Sequence, residues 1–324
     1  MKSILGLVAA FCLAVSASSA LAQTSYPDQT IRILVGFPPG GPPDVAARIL
    51  AEKSAEAWGK PVVVENVTGA AGNVSADRVA KAAPDGYTLT MAASSTIASN
   101  VSLYDKLPFD PVKDLVPISQ VCFTPNILAL NTDVPAKNLQ ELVALARARP
   151  GELTFGSAGV GTSQHLSGEL FKAMAGVNLQ HVPYRGIAQV MPDVLGGRLT
   201  MTFGNISAVL PLMRESKLRG MAVTSIKRSA SVPNLPTMAE QGFPGFDATA
   251  WFGLFAPAGT PAPIVAKIHA ETAKILERPA VRERFATLGM EVIGNTPAQF
   301  ADVVKAEIPV WAKVIKTAGV KATE

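Results

Sequence analysis

Neither a helix nor a strand can absorb the segment Phe37-Pro38-Pro39-Gly40-Gly41-Pro42-Pro43-Asp44. Before it, Ile31 to Val35 is a short apolar run rich in β-branched residues, which reads as a buried strand. After it, Val45, Ile49, Ala51, Ala55 and Trp58 fall roughly on one face at helical spacing. Asp44 stands where a helix N-cap belongs. A strand, a glycine-rich turn and a helix N-terminus together make an anion cradle, because free N–H groups and the positive end of the helix dipole converge there. Gly40 and Gly41 allow close backbone approach. Pro42 and Pro43 carry no N–H, so the donors must come from Gly40, Gly41, Asp44 and Val45. The cradle is not a nucleotide loop, since the chain has no G-x-x-x-x-G-K-[ST] and no G-x-G-x-x-G after a strand.

The same logic repeats along the chain. Strands are expected at 61–65 and 88–93, the first followed by the glycine-rich turn 66–73 and the helix 75–82, the second by Ser94-Ser95-Thr96. Residues 116–130 are extended and apolar, long enough to leave one lobe and enter another. A helix at 139–148 follows. The pattern then restarts with strand 153–155, turn 156–163 and helix 164–175; strand 179–182, turn 183–186 and helix 188–195; and strand 199–203 ending at Gly204-Asn205. A strand is expected at 218–224, and 246–255 reads as the return crossing. The rest is helical at 261–277, 280–288 and 297–317, with a short strand at 291–293. Two α/β lobes joined by two crossing segments result, and a ligand belongs outside the carboxyl ends of the strands, in the cleft between the lobes.

The first residues, MKSILGLVAAFCLAVSASSALAQ, have the build of a secretory signal: Lys2, an apolar stretch and Ala20-Leu21-Ala22 as cleavage site. The apolar stretch is shorter than the ~20 residues a membrane span needs. Cleavage would leave 324 − 22 = 302 residues, enough for two domains. Cys12 leaves with the signal, so Cys122 stands alone, without a disulfide, in an apolar run that suggests burial. The net charge of +4 has no basic block or interleaved aromatic run behind it, which argues against nucleic acid as a partner. His165, His181 and His269 form no metal-binding motif, so neither a metal nor a cofactor is expected. There is no G-x-S-x-G; a hydrolase using Ser157 or Ser163 with His165 stays open as an alternative, as does a ligand-sensing module for a signalling partner.

Nine segments in order carry a family resemblance: FPPGGPPD (37–44), PVVVENVTGAAGN (61–73), AAPDGYTL (82–89), LPFDPVKDL (107–115), GSAGVGTSQH (156–165), HVPYRG (181–186), DVLGGRL (193–199), LPTMAEQGFPGF (235–246) and GLFAPAGTPAPIV (253–265). In these the chain resembles the periplasmic Bug-type substrate-binding receptors of tripartite tricarboxylate transporters. The resemblance implies a two-lobed type II periplasmic-binding-protein fold with two hinge strands, and a monomeric, non-enzymatic receptor that delivers a small organic carboxylate to integral membrane transporter subunits. The expected lobes are 23–122 with 247–324, and 123–246. It also implies that first-lobe loops hold the carboxylate through backbone N–H groups and ordered water, while the second lobe reads the rest of the ligand. The first-lobe candidates are Phe37, Pro38, Gly40, Gly41, Asn66, Gly69, Ser94, Ser95 and Thr96. The second-lobe candidates are Ser157, Gly161, Thr162, Ser163, His165, Tyr184, Arg185 and Asn205, with Asp247 at the return crossing. Ser157 and Thr162 are expected to hydrogen-bond the ligand, with His165 close behind. Three positions depart from the family pattern: Pro43, Ala71 and Ile97 stand where a small hydroxyl residue, a glycine and a histidine are more frequent. They make the first lobe less polar. Citrate-like tricarboxylates, C4 dicarboxylates, acidic amino acids and aromatic carboxylates all remain candidate ligands.

Overall fold

The computed structural model describes residues 26–320. The expected signal peptide lies outside the described residues. Strand β1 (Ile31–Val35) leads through the proline-rich turn into helix α1 (Pro42–Trp58), and β2 (Val62–Asn66) leads into α2 (Asn73–Ala80). With β3 (Thr88–Ala93) these strands pair in parallel in the order β2-β1-β3, the geometry that helical crossovers impose. Ser95–Ser99 form one π-helical turn that runs into the short helix α3 (Asn100–Leu103), where only a hydroxyl-rich loop was expected.

Strand β4 (Leu115–Asn131) is the long crossing that the sequence suggests. Beyond it come α4 (Leu139–Ala148), β5 (Thr154–Ser157), α5 (Ser163–Ala175), β6 (Gln180–Pro183), α6 (Ile187–Leu195), β7 (Met201–Asn205), α7 (Ile206–Arg214) and β8 (Leu218–Val223). Helix α7 was not expected, because Pro211 inside it breaks the helical signal. The return strand β9 (Thr249–Pro257) is followed by α8 (Ala262–Glu277), α9 (Pro279–Thr287), the two-residue β10 (Glu291–Val292) and the long α10 (Pro297–Ala318). Among the described residues no helix is long and apolar enough to cross a membrane.

The two crossings hold the architecture together. From Leu115 to Pro125, β4 pairs antiparallel with β9, which itself pairs with β3. From Asn126 onward, β4 pairs with β7 and β8 instead, and β7, β5 and β6 continue in parallel. The change of partner at Asn126 comes a little after the expected boundary at 122/123. Each half of the sheet has its own core: Ile33, Met91 and Ile268 lie in one, Leu128, Phe155 and Phe203 in the other. Helix α10 does not belong to the first lobe alone. Phe300 and Val304 pack with Trp251 and Phe255, whereas Trp311 and Ile315 pack with Leu103 and Phe171. Cys122 is buried and free of any disulfide.

Candidate functional site

The turn after β1 is fastened from within. Asp44 is only 2 % exposed. Its carboxylate accepts the Gly40 N–H at 2.9 Å, the Asn66 side-chain amide at 2.8 Å and the Arg48 guanidinium at about 3.0 Å. Burial pushes its pKa up, but the bonds from Arg48, Gly40 and Asn66 outweigh burial and hold the carboxyl below its ordinary range. Asn66 also donates to Phe37 O at 2.9 Å. Asp44 is therefore not the N-cap. Gly41 caps α1, Pro42 and Pro43 fill its first two positions, and Asp44 reaches back from the third. The donor set narrows accordingly, since Gly40 N–H goes to Asp44 and Val45 N–H to Gly41 O. Among the described residues, the N–H groups of Gly41 and Asp44 remain without partners for an anion.

Behind this turn the three first-lobe loops are stacked at backbone contact. A Cβ on Gly36 would overlap Gly72 Cα, and one on Gly72 would overlap Thr96 Oγ1. Thr96 donates to Ala71 O at 2.9 Å, across a turn in which Ala70 and Ala71 take left-handed φ values of 46° and 50°. Such φ values are costly for alanine, and at Ala71, where a glycine is more frequent in the family, the strained turn is held by Thr96.

The second lobe contributes the start of α5. Thr162 caps this helix: its Oγ1 accepts His165 N–H at 3.5 Å and donates to Gly159 O at 2.7 Å. Ser157 has no exposed surface. Its hydroxyl lies 2.6 Å from His181 Nε2 and accepts Gly159 N–H at 3.1 Å. Gly161 N–H donates to His165 Nδ1 at 3.0 Å, and the His165 ring stacks on His181 with centroids 3.9 Å apart. Ser157, Gly161 and His165 are thus buried behind the residues that line the cleft, with His165 behind Thr162. The third helical residue turns its side chain back into the lobe, and β5 places Ser157 under the turn rather than on it. Of the pairing considered for hydrolysis, Ser157 lies beside His181 rather than His165.

Burial, together with the neighbouring ring and the Lys172 charge, lowers the His165 pKa to about 3; burial and Lys172 lower that of His181 to about 4. Both rings are neutral in the folded chain. The unfolded chain, titrating near 6.5, binds more protons at acid pH, so stability falls as pH drops below about 6.5 and the loss is complete only below the folded values. Between pH 7 and pH 5 each ring should withdraw on the order of 1–2 kcal/mol. Denaturant midpoints measured across this range should show the fall, and His181→Gln should flatten it; an equally steep fall in that variant would refute the assignment.

The cleft lies between the lobes and holds about 560 Å³ of space including its mouth. Of the candidate residues, Phe37, Pro38, Gly41, Ser94, Ser95, Thr162, Ser163 and Asn205 line it. Gly40 borders a neighbouring depression with Val45 and Met290. Gly69, Tyr184 and Arg185 line an adjoining cavity that shares Phe37 and Ala158 with the cleft. Asn66 and Thr96 brace the loops from behind, and Asp247 lines none of these spaces. Gln164, Gly186, Ile187, Ala188 and Phe252 line the cleft without having been anticipated. The position of Gln164 two residues after the capping Thr162 could have flagged it. Gly186 lies against Pro38: a Cβ there would sit 3.2 Å from Pro38 Cγ, so the two lobes touch across the cleft. Among the described residues no Lys, Arg, His, Asp or Glu lines the cleft; beyond its hydroxyls and two amides the lining is Pro, Gly, Ala, Ile and Phe.

Comparison with known proteins agrees with this geometry. Residues 46–320 match the tripartite tricarboxylate transporter family receptor. The chain is 37 % identical over 322 residues to Protein BugT of Bordetella pertussis, covering 99 % of each chain. It superposes on R. palustris Rpa4515 with adipate at a TM-score of 0.88 and 36 % identity, covering 91 % of this chain and 99 % of that one. MatC from Rhodopseudomonas palustris with bound malate gives 0.85 at 34 % identity, with 90 % and 100 % covered.

Proposed function

The chain belongs to the tripartite tricarboxylate transporter receptor family, and from that premise we propose that it is a periplasmic, non-enzymatic receptor for a small organic carboxylate with an apolar body, which it delivers to the membrane subunits of such a transporter. The observation that carries this reading is the makeup of the cleft: hydrogen-bond donors at the carboxyl ends of strands from both lobes, apolar walls and no charged side chain. An anion can be held without a cation where unpaired N–H groups and a helix N-terminus converge, as at Gly41 and Asp44. Proline, isoleucine and phenylalanine suit an alkyl or aromatic middle better than a densely hydroxylated one. Adipate and malate, the ligands of the two structural relatives, are both small organic carboxylates, adipate with an alkyl middle.

Mass spectrometry of whatever copurifies, followed by calorimetry with that compound, tests the reading. The compound should be a carboxylate, be returned unchanged, raise the melting temperature and shrink the radius of gyration. Gly41 has an ordinary φ of −76°, and a Cβ there would come no closer than 3.7 Å to Pro38 O. Gly41→Val should therefore fold normally yet crowd the anion site and weaken binding about tenfold or more. Parent-like affinity would remove the turn from the site, and turnover of the ligand would replace the receptor reading with an enzymatic one.

A further inference from the structure

Gln164 lines the cleft and is 4 % exposed, yet its Oε1 is buried without a partner. The rest of its amide begins a chain of hydrogen bonds. Gln164 Nε2 donates to Asn205 Oδ1, Asn205 Nδ2 to Asn126 Oδ1 at 2.8 Å, and Asn126 Nδ2 to Ser167 Oγ at 3.2 Å. Asn126 and Ser167 are fully buried, and Ser167 does not line the cleft. In this direction both ends are poor, because the Gln164 oxygen has no donor and the Ser167 proton has no acceptor among the described residues.

The chain can also run the other way. An amide turned by half a revolution exchanges its oxygen and nitrogen at nearly unchanged positions, and a hydroxyl can give or accept. Ser167 O–H then donates to Asn126, Asn126 to Asn205 and Asn205 to Gln164 Oε1. Asn205, Asn126 and Ser167 are then satisfied, and the Gln164 Nε2 takes the position without a partner, where its N–H groups call for an acceptor in a cleft that no cationic side chain lines among the described residues. An anion beside Gln164 favours this direction, since a carboxylate accepts and cannot donate. The far end of the chain lies at the lobe crossing. Asn126 is where β4 changes partners; its N–H donates to Thr224 Oγ1 at 2.9 Å, and that hydroxyl reaches Ala248 O, next to the return strand, at 2.7 Å.

We propose that Gln164 binds the ligand by donating its side-chain amide to a carboxylate oxygen, and that Asn205, Asn126 and Ser167 are positioning residues that set this donor direction through a reversible relay. The proposal rests on the carboxylate reading above. The test is calorimetry with a panel of C4 to C8 dicarboxylates, the tightest serving as probe, on the parent, Gln164→Met, Ser167→Ala and the double variant. Loss of a bond to a charged acceptor should weaken Gln164→Met about 10- to 100-fold. Ser167→Ala touches no ligand and places a good helix former in mid-helix, yet it should weaken binding severalfold. In the Gln164→Met background it should have no further effect. Side-chain amide resonances give a second measurement that does not depend on how Ser167→Ala folds: those of Asn126 should shift when ligand is added to the parent and stay still in Gln164→Met. Parent-like affinity in either single variant, independent effects in the double variant, or Asn126 resonances indifferent to ligand would overturn the relay. A parent that binds no carboxylate at all would instead overturn the carboxylate reading, and the relay with it.

Discussion

Gly36→Ala should abolish measurable carboxylate binding and destabilise the chain by about 2–3 kcal/mol, the upper part of the usual cost of overpacking. The added methyl has nowhere to go: its nearest neighbours are Gly72 Cα, O and C, all backbone. A flexible side chain could swing aside, but the main chain of the turn Ala70–Gly72 cannot do so without moving the turn. Gly72 is in turn pressed against Thr96 and Phe37, and its φ of 93° suits glycine alone. One methyl at Gly36 would therefore separate the loops after all three parallel strands, and these loops supply Phe37, Gly41, Ser94 and Ser95 to the cleft. Titration calorimetry and denaturant unfolding of the variant check both halves. The comparison with Gly41→Val is informative, because the larger residue should there do less harm to the fold. Parent-like affinity in Gly36→Ala would mean that the loops need not touch for binding.

Gly36 was invisible in the sequence because its constraint is not local. It is a lone glycine between a strand and Phe37, and only the fold brings Gly72 against it. The turns themselves were legible, since Gly and Pro clusters interrupt hydrophobic runs wherever a strand gives way to a helix. The long crossing β4 was legible as an uninterrupted apolar run, but its exchange of β9 for β7 at Asn126 was not, because strand pairing depends on residues distant in the chain. The same holds for α10. Its apolar face can be read from the sequence, yet nothing there says that Phe300 serves one core and Trp311 the other. The π-helical turn at Ser95–Ser99 has little helical propensity and is fixed by burial of Ile97 and Ala98.

Site residues divided along a similar line. Where a backbone or a capping position decided the matter, sequence reasoning came close: Gly41, Ser94, Ser95, Thr162 and Ser163 do face the cleft. Where side-chain direction decides it, the sequence says less. Ser157 and His165 carry the residue types expected of a ligand contact, but the strand and the first helical turn direct them inward to His181. Gln164, without such a chemical signature, faces the ligand space. The resemblance to carboxylate receptors located the cleft, whereas its polarity had to come from the packed structure.

Asp44→Ala should cost about 3 kcal/mol of stability and weaken the ligand at least about tenfold. Two effects oppose each other in the binding term. Removing a carboxylate from beside a carboxylate ligand relieves repulsion, which alone would tighten binding. Removing it also frees the Gly40 N–H, the Asn66 amide and the Arg48 guanidinium, and so unfastens the turn that forms the cleft wall. The repulsion is small, because Arg48 stands 3.0 Å from the Asp44 carboxylate and offsets its charge. The fastening is large, because the carboxylate is buried and two of its three partners belong to the turn or brace it. Loss of order in the turn should therefore prevail, and affinity should fall rather than rise. The pH dependence has a definite sign: the folded pKa lies below the unfolded value near 3.9, so Asp44 contributes its stability in full above about that value and loses it as pH falls through the folded pKa. Asp44→Ala should thus be less stable than the parent at neutral pH and converge on it in acid. Calorimetry at neutral pH together with unfolding titrations down to acid distinguishes the outcomes. Tighter binding in the variant would show that Asp44 acts on the ligand through its charge, and a stability deficit that persists unchanged in acid would show that its bonds are not what holds the turn.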